Sequence, residues 1–176
     1  MTYFQKFPHL VYSLDGKESV VKDILRRATF ISEYKPVSDM YHPYLIIDGD
    51  TPQTLGMRFY GAATYHWVIQ LFNEIHNPYF DWPLGPVLLE QMCSEKYGNT
   101  TMYMTRHHEL NGIVIGEIKE FKKGIPWVPP IFTGEAVAIS FFDYEERLND
   151  DLRKIAILRP ELLGEFVKQF ESSINQ

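Results

Sequence analysis

The stretch Gly49 to Gly61, GDTPQTLGMRFYG, fixes its own conformation at both ends. Thr51 is a strong helix N-cap, and Pro52 suits the first helical position, where its missing N–H is no loss. Gly61 ends the helix as a left-handed cap. Between these bounds, Leu55, Phe59 and Tyr60 supply one inner face. Upstream, Tyr44 to Asp48 (YLIID) reads as a short apolar strand ending at the Gly-Asp turn. Strand, turn and capped helix therefore follow one another with no room for another arrangement.

A second helix is expected over about 64–75. Val68, Leu71, Phe72 and Ile75 recur at helical spacing, broadened by Tyr65 and Ile69. His66, Gln70, Asn73 and Glu74 fall on the opposite, polar face. The run NPYFDWPLGP (Asn77 to Pro86) then breaks regular structure with three prolines and a glycine. A third helix is expected from about 87 to 97, stopping at Gly98.

The flanks read differently. Residues 1–40 form an arm in which Asp15 and Glu18 have capping-box spacing. Val20, Val21, Ile24, Leu25 and Ala28 follow at helical intervals, predicting a short helix. Residues 100–142 read as β-structure, with Asn111-Gly112 as a hairpin turn and Glu135 to Phe142 as a further strand. Lys122 to Gly134, holding three prolines and two glycines, is a loop. An acidic helix is expected at Tyr144 to Leu152 and a buried strand around Ile155 to Leu158. Pro160 then starts an amphipathic helix with Leu163, Phe166, Val167, Phe170 and Ile174 on one face. The organisation is thus α+β: an N-terminal arm (1–40), a β-α-α core (41–98), and a C-terminal β/α region (99–176) containing a hairpin and a terminal amphipathic helix.

Composition narrows the function. The formal net charge of −6 comes from 17 basic and 23 acidic residues, and no segment concentrates cations as phosphate binding requires. Arg26-Arg27 is the only basic pair of note, on the expected arm helix. One cysteine, Cys93, precludes an intrachain disulfide. No run approaches the ~18 apolar residues of a membrane span, and the N-terminus lacks the basic and apolar regions of a signal peptide.

Catalytic patterns are missing. Six histidines include no HExxH or i, i+4 pair, and adjacent His107 and His108 point to opposite faces of a strand. Cys93 in a helix beside Met92 reads as a small buried side chain. Asp48, Asp50 and Asp81 do not separate into an acid and a base, and no glycine pattern cradles a phosphate. No catalytic residue, cofactor site or metal site is expected. Aromatic content is high instead, at 15%. Prolines hold Tyr79, Phe80, Asp81 and Trp82 in one short loop, which limits how many rings turn inward together. Those four residues, with Trp127 among the prolines of GIPWVPP as a second place, are the candidate partner-binding residues.

Asp48 to Gly85 resembles the LysM-like core of the baseplate wedge protein 53 family of contractile-tailed phages. The matching points are Gly49-Asp50-Thr51, Tyr60-Gly61, His66-Trp67, Asn73 and Asn77 to Pro83. The aromatic N-terminal strip YFQKFPHLVYSL and the closing RKIAILRPELLGEFVKQF agree with the same family. The resemblance implies a structural virion protein, not an enzyme. It implies a subunit in several copies that contacts other wedge and hub-proximal proteins, including a sheath-initiator-like subunit. Such a subunit is made in the host cytoplasm and ends in the tail baseplate, without nucleic-acid or membrane partners. The alternative is a LysM module binding N-acetylglucosamine polymers of peptidoglycan. The helix after NPYFDWPLG replaces the strand that completes the usual sugar groove, and so weighs against it. A wall hydrolase would need a nucleophile, metal set or carboxylate pair that the sequence lacks.

Overall fold

A computed structural model describes residues 3–24, 38–115, 119–132 and 134–174. In chain order the strands are β1 (His9–Leu14), β2 (Lys17–Lys22), β3 (Tyr41–Leu45), β4 (Thr105–Leu110), β5 (Ile113–Ile115), β6 (Val137–Ser140) and β7 (Lys154–Leu158). The α-helices are α1 (Pro52–Tyr60), α2 (His66–Phe72), α3 (Pro86–Tyr97), α4 (Phe141–Leu152) and α5 (Leu163–Ile174). Two compact units divide them: Met1–Trp82 with Lys154–Gln176, and Pro83–Arg153.

The first unit is built on β3, α1 and α2, the expected β-α-α order. Thr51 caps α1 through its hydroxyl, which accepts from the Thr54 amide at 3.1 Å, and Gly61 closes it at φ 74°. Gly56 sets how closely the two helices meet. A Cβ there would stand 3.0 Å from the His66 backbone nitrogen, so a side chain would push α1 off the start of α2. The strand lies a little earlier than Tyr44 to Asp48, at Tyr41–Leu45. Residues 46–50 turn instead, because Asp50 bonds back to Ile47.

β3 pairs antiparallel with β7, more than a hundred residues away, with Tyr41 opposite Leu158 and Leu45 opposite Lys154. The Arg159 amide donates to Met40 O, which fixes the hydrogen-bonded pairs. The main-chain groups of Ala156 and Leu158 consequently face outward. Side chains seal that edge. Asn73 donates to Ala156 O at 2.8 Å and accepts from Ala156 N at 2.7 Å, while Tyr60 donates to Leu158 O at 3.1 Å. On the other edge, Pro43 stands where an outward N–H would be, the usual place for proline in a sheet.

Two clusters fill this unit. Ile46, Leu55, Ile69, Ile155 and Ile157 pack between the sheet and the helices. Phe7, Trp67, Val68, Leu158, Phe166, Phe170 and Ile174 form the second, which is how the terminal helix and the N-terminal strip are held. The helix expected from Pro160 begins with a 3-10 turn (Pro160–Leu162) and buries Phe166, Phe170 and Ile174 as its spacing predicts.

One expectation is overturned. Residues 17–22 are not helical but form a hairpin, with β1 and β2 antiparallel and Leu14 opposite Lys17. Asp15 and Gly16 adopt φ 51° and 75°, a two-residue hairpin turn whose twist suits the flanking strands. The capping-box spacing lost to this Asp-Gly turn, and Val20 and Val21 are β-branched residues that favour a strand. Leu25, Arg26, Arg27 and Ala28 lie outside the described residues.

In the second unit, Asn111 and Gly112 form the expected hairpin turn at φ 52° and 77°. The sheet order is β5-β4-β6. α4 starts three residues earlier than its acidic run suggested. Ser140 and Asp143 make a capping box, with reciprocal bonds of 3.0 and 3.1 Å, that ends β6 and begins the helix at once. Leu89, Cys93 and Met102 form its buried cluster.

Candidate functional site: an aromatic loop pinned from within

The loop after α2 is shaped by its own polar residues. Asn77 Oδ1 accepts from the Tyr79 amide at 3.1 Å, and Asn77 O accepts from the Phe80 and Asp81 amides at 2.9 and 2.8 Å. Asp81 closes the turn from the other side: its Oδ2 accepts from the His76 and Asn77 amides at 3.0 and 2.8 Å. Short polar side chains that bond two to five residues away offer the backbone such turns. Trp82 then fastens the loop to the fold. Its indole N–H donates to Asp50 O at 3.1 Å, and its ring packs on the cluster beneath β3 and α1.

With both ends fixed, Tyr79 and Phe80 have nowhere to go but outward, and they are 87% and 78% exposed. Of the four loop residues singled out by sequence, two present rings to solvent, Asp81 holds the turn and Trp82 anchors it. An adjacent aromatic pair on a preorganised turn is the kind of surface that partners bury at low entropic cost.

The anchor is itself anchored. Asp50 is buried and accepts from Tyr44 Oη at 2.6 Å, Ile47 N at 3.2 Å and Arg58 at 3.1 Å. Burial and the bond to Asp50 push the Tyr44 hydroxyl up from its ordinary value. Asp50 and Thr51 thus commit their polar groups to turn and cap. Asn73 behaves likewise. It was expected on a polar outer face, yet it bridges the end of α2 to β7.

Trp127 belongs to the second unit. Its indole N–H donates to Thr105 O at 2.9 Å, and its ring meets Phe141 edge-on at 4.9 Å. Around it Ile125, Val128 and Ile131 are exposed, Ile131 at 93%. Here the tryptophan positions its loop and the aliphatic neighbours face water.

A polar cluster that spacing did not reveal surrounds His107, which is 1% exposed. His107 Nδ1 lies 2.9 Å from Arg106 and Nε2 lies 2.8 Å from Glu109. Glu109 also accepts from Arg147 at 2.7 Å, and Arg106 lies 3.8 Å over the Tyr144 ring. Hydrogen bonds from His107 and then Arg147 hold the Glu109 carboxyl below its usual range. Every member of this set already has a partner, so it ties β4 to α4. Among the described residues, no three His, Cys, Asp or Glu side chains are placed to hold a metal ion. No helix among them is long and apolar enough to cross a membrane.

Cys93 is fully buried, and burial pushes its thiol up to about 11. The thiolate is the reactive form. Cys93 is therefore expected to resist a thiol reagent at pH 8 in native buffer and to react completely in denaturant. Full labelling of the native protein within minutes would contradict this burial.

The family model for base plate wedge protein 53 aligns with residues 21–112, just over half of the chain. That span holds β3, α1, α2, the aromatic loop, α3 and β4. No curated protein matches the chain.

Proposed function

Because the chain belongs to the base plate wedge protein 53 family, a structural component of the phage tail baseplate, we propose that it joins wedge proteins around the central hub during virion assembly. The observation that carries this reading is the exposed Tyr79-Phe80 pair, held on a turn that Asp81 and Trp82 pin from within. Interface hot spots draw on such aromatic anchors, whose few rotatable bonds lose little entropy on burial. The partners are other wedge and hub-proximal proteins, including a sheath-initiator-like subunit, with several copies per baseplate. The apolar loop around Trp127 is a second contact region. Synthesis takes place in the host cytoplasm and no catalytic step is assigned.

The test is reconstitution. The purified chain is mixed with the wedge proteins of the same phage and the assemblies are separated by sedimentation. Stoichiometric co-sedimentation is the expected result. A chain that sediments alone, yet binds N-acetylglucosamine oligomers by calorimetry, would overturn the reading in favour of the LysM-type sugar module.

A further inference from the structure

We propose that the outer edge of β1 accepts an extended strand from another baseplate protein, which adds a third strand to the β1–β2 hairpin. The proposal rests on the assembly role above and adds a second docking element and its mode.

Among the described residues, the hairpin of β1 and β2 buries no side chain of its own. Every residue of β1 is exposed, with Leu10, Val11, Tyr12 and Leu14 between 45% and 62%, and Val20 and Val21 on β2 are exposed at 68% and 42%. The register puts Leu10, Tyr12, Leu14 and Val21 on one face and Val11 and Val20 on the other. Both faces are open, and the one holding Leu10, Tyr12, Leu14 and Val21 is mainly apolar. A two-stranded ribbon is marginal in water without a third strand or a covering layer.

The ladder identifies which main-chain groups are unused. The Asp23 amide donates to Pro8 O at 3.0 Å, so Leu10–Val21, Tyr12–Ser19 and Leu14–Lys17 are the hydrogen-bonded pairs. The amides and carbonyls of His9, Val11 and Ser13 point away from β2, in position to pair with a neighbouring strand.

The edges of the β3–β7 sheet and of β2 are blocked, whereas that of β1 is open. The β3–β7 sheet is closed by Asn73 and Tyr60 on one side and interrupted by Pro43 on the other. The strand β2 carries Lys17, Glu18 and Lys22, and charged residues of this kind deter edge pairing. By contrast β1, HLVYSL, has no carboxylate, lysine, arginine or proline. Its base is held firm, because Lys22 Nζ donates to the carbonyls of Gln5 and Phe7 at 3.0 and 2.7 Å.

Area decides between occupants. Six residues per strand give a ribbon about 20 Å long and about 10 Å wide, or roughly 200 Å² per face. A second copy pairing edge to edge would leave those faces in water and bury far less than the ~800 Å² per partner of a stable interface. The occupant that fits is a proline-free strand alternating apolar side chains, from a larger protein that also covers the Leu10, Tyr12 and Leu14 face.

Residue-resolved hydrogen exchange tests it, comparing the free full-length chain with purified tails. In the free chain the Val11 and Ser13 amides are expected to exchange fast, and those of Leu10 and Tyr12 slowly. In tails, Val11 and Ser13 should slow by at least ~10²-fold, the protection of a closed ladder. Unchanged exchange at Val11 and Ser13 in tails that contain the chain would overturn strand addition alone. Tails lacking the chain would overturn the assembly role instead. Val11→Pro removes an outward N–H without touching the hairpin's own bonds, and should lower incorporation at least ~10-fold while Leu10 and Tyr12 stay protected. Wild-type incorporation of that variant would also overturn the proposal.

Discussion

Replacing Tyr79 and Phe80 together with alanine is expected to leave folding almost unchanged and to weaken wedge assembly by at least ~10²-fold, since aromatic hot spots cost ~2 kcal/mol or more each. The separation of the two effects follows from the geometry. Both rings are mostly in water, so the folded chain loses little when they are truncated, and surface substitutions of this kind stay within about 0.5 kcal/mol. The turn beneath them survives, because its hydrogen bonds come from Asn77 and Asp81 and from main-chain groups. Trp82→Ala should behave oppositely. It removes the bond to Asp50 O and part of the packing under β3 and α1, so stability falls along with assembly. Thermal unfolding and competitive incorporation against wild type, measured on both variants, check the pair. Equal incorporation of the Tyr79/Phe80 double variant would remove the loop from the interface.

The largest stability effect away from the apolar core is expected at Asn73. Its side chain donates to Ile69 O and Ala156 O and accepts from Ala156 N. Alanine there strips an amide and a carbonyl on the outward edge of β7 of their partner at once. Leaving such groups unpaired costs ~1–3 kcal/mol each, so Asn73→Ala should lose ~2–4 kcal/mol, a fall in Tm of roughly 5–15 °C. Leucine should fare no better, because it restores volume but no hydrogen bond. Gln53→Ala on the exposed side of α1 serves as the control and should shift Tm by less than about 2 °C. An Asn73→Ala protein as stable as that control would show that water replaces the side chain at this edge.

The contrast between Asn73 and its neighbours shows what sequence carried. The bounds of α1 were legible because Thr51, Pro52 and Gly61 act on the backbone within a turn of their own positions. The same holds for the Asn111-Gly112 hairpin and for α5, whose buried Phe166, Phe170 and Ile174 follow helical spacing. The arm failed because two local codes overlapped there, and the Asp15-Gly16 turn defeated the cap that Asp15 and Glu18 imitate. Long-range roles were invisible. Nothing local tells that β7 returns to β3, so nothing told that Asn73, polar among polar neighbours, would seal that strand. Asp50 was assigned its turn, but not the Tyr44, Arg58 and Trp82 contacts that make it the loop's foundation. Proline spacing marked the 79–82 loop, yet which rings face out was decided by the indole bond to Asp50 O.

Labour is thus divided within four residues: Trp82 and Asp81 hold the loop so that Tyr79 and Phe80 are free to be buried by a partner. Cryo-electron microscopy of the intact tail tests it most directly. Both rings are expected within about 4 Å of a neighbouring wedge subunit, with the loop in the conformation seen here. Density showing both rings in solvent inside the assembled baseplate would contradict it.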